Sequence, residues 1–261
     1  MSTNNKASII SNPFVFIGII ALIASLILSF VSESTRERVD SNKKLDIMKN
    51  VLLCRYLEDY KSYEDKLSVP SNIEKEYDKA IEQVLYYEDG SLVSEDLDFS
   101  KLEWKENKSD GSMYFFFKSA PEVKYLPLFR VKGDNGYIIP VSGKGLWSTL
   151  KGFLYVSKDL SKIKGISFYS HTETPGLGGE IDKPEVKKRY VDKSIDLFGE
   201  EIRVAEMVKA PSKDNNFELQ YMSGATITSD GLNYFIKRDL NKYKDILLCE
   251  SDSTQCKGVK K

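Results

Sequence analysis

Apolar side chains are not spread evenly along this chain. The stretch "PFVFIGIIALIASLILSFV", residues 13–31, is almost unbroken, and no charged residue stands between Lys6 and Glu33. Its length approaches the ~20 residues that a bilayer-spanning helix needs. It exceeds the apolar core of ~7–15 residues usual in a secretory signal, and no small-residue cleavage pattern follows it. It is read as a retained transmembrane helix over 13–32, behind a short tail at 1–12. Past the span, Leu45, Met48, Val51, Leu52 and Tyr56 fall at helical spacing, so a helix continues out of the membrane. A second helix is expected over "NIEKEYDKAIEQVLYY", residues 72–87, with Ser71 or Asn72 as its cap. Residues 89–112 read as loop, and the whole of 33–112 as a helical connector with charged elaboration.

From Met113 the period changes to that of strands. "MYFFFKS", "PLFRVKGDNGYIIPVSG", "GFLYVS" and "IKGISFYS" read as strands, the second containing a hairpin that turns at residues 133–136. "IRVAEMV" and "FELQYM" add two more, and "KPEVKKRYVDK" reads as a short helix with Pro184 in its first turn. A last helix starts after Thr226 or Thr228, its apolar stripe formed by Leu232, Phe235, Ile236, Leu240 and Tyr243. The expected architecture is α+β: one membrane helix, then a domain at 113–248 with a mostly antiparallel sheet flanked by helices, then a tail at 249–261.

Composition narrows the chemistry. The 261 residues carry a net charge of −1, so no basic excess points to nucleic acid. A single histidine, His171, excludes sites built on several histidines, and Cys54, Cys249 and Cys256 lack the spacing of a zinc or iron–sulfur site. A Cys249–Cys256 bridge is compatible with the spacing, and three idle thiols are the preferred reading. Arg36, Arg38, Lys43 and Lys44 after the span favour a cytoplasmic domain by the positive-inside rule, although long domains translocate largely regardless of it.

Three segments combine glycine with hydroxyls. "SGKGLWST", residues 142–149, departs from a phosphate loop because Gly145 follows Lys144, but Trp147 offers a planar face. "HTETPGLGGEI", residues 171–181, places Gly176, Gly178 and Gly179 within four positions, which permits close backbone approach to a ligand. Ahead of them, Glu173 and Thr174 can hydrogen-bond a ring edge. "SGATITS", residues 223–229, opens the last helix, where free N–H groups suit a phosphate; taken alone, a plain Ser/Thr cap is the preferred reading.

Taken in this order after one membrane span, the three segments closely resemble the C-subunit family of sodium-translocating NADH:quinone reductases. More broadly they are similar to the FMN-binding domain shared with a subunit of the related ferredoxin-linked electron-transport complex, which is the alternative assignment. The likeness covers residues 13–31 in layout and 126–240 in sequence. The resemblance implies FMN bound through a phosphoester to Thr226, attached by a flavin transferase. Ser223, Gly224 and Ala225 would be recognition positions, and Thr228 and Ser229 would be left to cap the helix. Gly145, Leu146, Trp147, Glu173, Thr174, Gly176, Leu177 and Gly178 would surround the flavin. It further implies an electron relay, inactive alone, in a bacterial inner-membrane complex that oxidises NADH, reduces ubiquinone and exports sodium. Its soluble domain would face the periplasm, and its partners would be the other subunits and the lipid bilayer. Where the family has an aspartate three residues before the serine, this chain has Gln220. A reading of another class is a membrane-anchored binding or assembly protein without cofactor.

Overall fold

A computed structural model describes residues 13–57, 70–94 and 101–256. The expected tail at 1–12 lies outside the described residues, as do residues 58–69, 95–100 and 257–261.

The chain divides into two units, 1–44 and 45–261. The described residues of the first are helix α1 (Pro13–Arg55) up to Lys44, which includes its apolar stretch. Its large side chains, from Phe14 through Phe30, are exposed, an arrangement that suits hydrocarbon rather than water. The apolar helix is therefore consistent with a membrane anchor.

The second unit starts with the last turns of α1. It continues with α2 (Pro70–Ala80), β1 (Ile81–Tyr87), β2 (Leu92–Ser94), β3 (Leu102–Glu106), β4 (Met113–Phe117) and β5 (Ala120–Val131). Then come β6 (Tyr137–Lys144), β7 (Thr149–Val156), β8 (Ile163–Ser170), α3 (Pro184–Lys187), β9 (Ile195–Asp196) and β10 (Arg203–Val204). The unit closes with β11 (Glu206–Val208), β12 (Glu218–Gln220) and α4 (Thr226–Ser251). Strands β1–β8 form one antiparallel sheet in the order β2-β1-β5-β6-β7-β8, with β4 on β5 and β3 on β4. The class is α+β.

Successive residues of a strand point to opposite faces, so the sheet sorts its own side chains into two cores. Val84, Leu126, Leu128, Ile139, Val141, Leu150 and Leu154 face α4 and its Leu232, Phe235, Ile236 and Leu240. Ile81, Leu85, Phe129, Ile138, Phe153 and Tyr155 face the other way, onto Val51, Leu52 and Cys54 of α1 and Ile73 and Tyr77 of α2. The hairpin between β5 and β6 turns as expected at 133–136, with Gly133 and Asn135 at positive φ. Helix α3 has Pro184 in its first turn.

Several expectations are corrected. The helix expected over 72–87 stops at Ala80, and Ile81–Tyr87 is a strand paired with β5 along its whole length. Both faces of that strand are buried, so its apolar residues lack clean alternation and continue the helical spacing of Ile73, Tyr77 and Ala80. Residues 89–112, expected as loop, contribute β2 and β3, so a domain boundary at 113 would cut the sheet. "FELQYM" and "EMV" stand apart from the main sheet, paired with each other in parallel as β12 and β11. The cysteines are not three idle thiols: Cys249 and Cys256 form a disulfide, and only Cys54 is free. The expected tail at 249–261 therefore begins inside the last turn of α4 and is tied to it.

Two polar networks seat α4. Near its start, the Asn233 amide brackets the backbone of Met207, donating to its carbonyl at 2.8 Å and accepting its N–H at 2.7 Å. At its end, Glu250 accepts from the Arg130 guanidinium at 2.7 Å on both oxygens and from the Tyr86 hydroxyl.

Candidate functional site

The three glycine-rich segments lie far apart in sequence and meet at one place. Leu146 and Trp147 come from the β6–β7 turn. Glu173, Thr174, Leu177 and Gly178 come from the loop after β8. Gly224, Ala225, Thr226, Ile227 and Thr228 come from the start of α4, and together these residues line a pocket of about 250 Å³.

Each loop has a local reason for its course. Around Gly176 (φ +80°) the chain folds back so that Leu177 and Gly179 donate to the Thr174 carbonyl at 3.1 and 3.0 Å. Gly224 has φ +69°, a left-handed conformation that suits glycine, and a Cβ there would stand 2.7 Å from the Leu177 Cδ2. His171 pins the same loop: its Nε2 is 2.7 Å from an Asp182 carboxylate oxygen, and its Nδ1 accepts the Glu173 N–H at 3.2 Å. That acceptance makes Nε2 the protonated nitrogen.

Helix α4 begins at Thr226 with Ala225 as its N-cap and no side-chain cap. The first bond into the helix runs from the Ser229 N–H to the Ala225 carbonyl, so the N–H groups of Thr226, Ile227 and Thr228 precede it. Such groups, with the helix dipole behind them, suit an anion. Thr228 and Ser229, expected to cap the helix, are buried inside its first turn instead. The Ser229 hydroxyl donates to the Ala225 carbonyl at 2.9 Å, and the Thr228 hydroxyl donates to Glu173 at 2.8 Å. Thr226 is exposed at the pocket. Among the hydroxyls of this first turn, Thr226 is therefore the one exposed at the pocket.

Glu173 is buried to 5 % exposure, and its carboxylate is turned inward. It accepts the N–H groups of Leu146 (3.2 Å), Trp147 (2.9 Å) and Ser148 (3.0 Å), in addition to the Thr228 hydroxyl. Burial pushes this carboxyl up. The Trp147 amide, the Thr228 hydroxyl and the amides of Ser148 and Leu146 outweigh that and hold it below the usual carboxylate range. The expectation that Glu173 meets a ring edge is replaced by this internal role.

The other expected residues fall as follows. Gly145 lies behind the pocket against Glu173, where a Cβ would come within 2.7 Å of the carboxylate. Ser223 is exposed just before the pocket, Ala225 is buried at its floor, and Gly176 forms the outer bend. Lys144 is paired with Glu106 at 3.1 Å and Thr149 at 2.9 Å, which leaves no phosphate-loop role for it. Gln220 donates from its side chain to the Lys209 carbonyl at 2.9 Å. Ile227 and Thr228 also line the pocket; they lie within "SGATITS" but are not among the residues the resemblance places around the flavin, and a stripe running Thr228, Leu232, Phe235 places Thr228 on the buried face.

The rim is apolar and open: Trp147 is 71 % exposed, and Leu146, Leu177 and Ile227 are exposed beside it. An uncovered indole and aliphatic rim next to a free helix N-terminus and an exposed hydroxyl fits a ligand with a flat ring system at one end and a phosphate at the other. FMN has that form.

Comparison with known proteins agrees. Residues 145–241 match the model of the FMN-binding domain family. The C-subunit of the Na(+)-translocating NADH-quinone reductase of Haemophilus ducreyi is 30 % identical over 250 residues, 91 % of each chain. The chain belongs to the family of that protein. Its counterpart in Neisseria meningitidis serogroup A is 39 % identical over 114 residues, 42 % of this chain and 43 % of that one. The crystal structure of the C-subunit from Parabacteroides distasonis superposes with a TM-score of 0.61 at 27 % identity, covering 81 % of this chain and 96 % of that one. This family membership favours the quinone reductase over the ferredoxin-linked complex.

Proposed function

We propose that this C-subunit is the FMN-carrying electron relay of a Na(+)-translocating NADH-quinone reductase, with the cofactor joined through its phosphate to the Thr226 hydroxyl. The observation that carries the reading is the convergence of three distant segments on one pocket at the start of α4, where Thr226 is exposed while Thr228 and Ser229 are engaged within the protein.

The chain's own residues bind and orient. The first-turn N–H groups of α4 would stabilise the phosphate, and Gly224 would let the backbone approach it. Trp147, Leu146, Leu177 and Ile227 would cover the ring and exclude water from it. FMN, when bound, supplies reversible electron uptake, and the protein sets its position and surroundings. No acid, base or nucleophile of the chain is required in turnover.

The complex as a whole would oxidise NADH, reduce ubiquinone and export sodium. The helix at 13–32 would hold the protein in the bacterial inner membrane, in contact with lipid and the other subunits. A flavin transferase would load it. The Cys249–Cys256 disulfide supports a periplasmic location for unit 45–261, because such bonds persist in oxidising compartments. The basic residues after the span argue the other way but govern short loops best.

Replacing Thr226 by valine tests the reading. The wild-type chain, co-expressed with the transferase, should fluoresce as a flavoprotein after denaturing electrophoresis and carry the mass of one FMN less water. Thr226→Val should do neither. Undiminished fluorescence of Thr226→Val overturns the assignment of the anchor.

A further inference from the structure

Glu173 is a buried charge whose hydrogen-bond partners are all neutral. Its carboxylate receives three consecutive amides of the β6–β7 turn on one side and the Thr228 hydroxyl of α4 on the other. Two glycines keep room for it: a Cβ on Gly145 or on Gly178 would stand 2.7 Å from one of its oxygens. Glu173 is itself one of the residues that line the pocket. Three segments separated by tens of residues are thus joined at one side chain, and a negative charge is fixed beside the ligand.

We infer that Glu173 is a positioning residue: it fastens the Trp147 turn to the first turn of α4 and sets a permanent negative charge against the pocket, which disfavours electron uptake by the flavin. This rests on the proposed site of FMN. The physical argument is electrostatic. Reduction adds negative charge to the ring, and a nearby carboxylate in a poorly hydrated wall opposes it more than the same charge in water would. Hydrogen bonds from neutral amides keep the charge in place without cancelling it. Glutamine has the shape to keep the Trp147 and Ser148 amides bound through its one oxygen. It loses the charge and turns an NH2 group toward the Leu146 amide.

Two measurements on the full chain test this. In the flavin-loaded protein, Glu173→Gln should shift the balance of oxidised and reduced flavin about tenfold toward reduced, a rise of about 30 mV for a two-electron couple. A midpoint within threefold of wild type, with the attached mass present, overturns the charge role. In chain expressed without the transferase, Glu173→Ala should raise amide exchange at Leu146, Trp147 and Ser148 at least tenfold while the middle of α4 keeps its protection. Unchanged exchange there overturns the fastening role. Glu173→Asp, which keeps the charge, should hold the midpoint near wild type, and a rise as large as that of Glu173→Gln would refute the charge argument. A wild-type chain without attached flavin defeats the proposed site itself, and the exchange experiment still decides whether Glu173 fastens the turn.

Discussion

Replacing Gly231 by alanine sets two opposing free energies against each other. Gly231 lies in the second turn of α4, where alanine is intrinsically better by about 1 kcal/mol. On that ground alone the substitution should stabilise. Gly231 also lies where the helix meets the end of β6: its Cβ would stand 2.2 Å from the Lys144 carbonyl oxygen, against 3.4 Å for ordinary contact. Helix and strand would have to separate by roughly 1.2 Å, and the atom in the way is backbone, which cannot swing aside. The facing glycine is equally tight, since a Cβ on Gly143 would lie 2.3 Å from the Phe235 Cβ. Overpacking of this kind costs about 1–3 kcal/mol, and rigid backbone places it at the upper end. The net expectation is a loss of about 2 kcal/mol, roughly thirtyfold in the unfolding equilibrium. Equilibrium urea unfolding of the full chain in mild detergent measures it. Asn241→Ala is the control: it is an exposed position of the same helix and should gain a few tenths of a kcal/mol from propensity alone. A Gly231→Ala chain as stable as wild type, or more so, refutes the close approach of α4 to the sheet.

Thr228→Val should cost about 1.5–3 kcal/mol, as expected for losing a hydrogen bond to a charged group, while leaving the mass of attached FMN unchanged; the same urea titration and intact mass decide it. Cys249→Ser with Cys256→Ser should cost about 2–3 kcal/mol by opening a short loop, measured against the oxidised wild type, and non-reducing peptide mapping should show the native link. Burial pushes the Asp239 carboxyl up to about 6, against the pull of Arg238 and the Ser142 amide. The folded state therefore binds this proton more tightly than the unfolded state. The Asp239 contribution to stability should grow by about 1–3 kcal/mol as pH falls from 7 to 4 and be lost as pH rises through 6. In Asp239→Asn this component of the pH profile should be flat.

The parts of the fold legible in the sequence are those where one physical signal dominates. β4–β8 alternate or carry turn residues, and the stripe of α4 repeats at helical spacing, so both are readable. β1 is not, because burial on both faces removes the alternation, and the spacing of α2 runs on into it. The Cys249–Cys256 link depends on how α4 ends, where Asp252 takes the chain out of helical backbone and a short turn brings Cys256 back. At the site, glycines and hydroxyls mark the right segments, and the pocket gathers most of them. The direction of Glu173 is not legible. A carboxylate beside glycines reads as a ligand contact, and only the fold shows that Gly145 and Gly178 make room for the carboxylate itself. Thr228 reads as a cap because apolar spacing alone allows α4 to start at either of two threonines, and a start at Thr226 turns Thr228 inward.

Helix α4 runs unbroken from Thr226 to Ser251, a rod of about 39 Å. One end opens onto the pocket, and the other carries the disulfide and the Glu250–Arg130 pair. With the flavin placed as proposed, the disulfide and the cofactor would stand at opposite poles of one rigid member, out of contact with each other. The Asn233 bracket on Met207 holds the helix between them. Opening the disulfide would then be a local event at the far pole, away from the cofactor end of the helix.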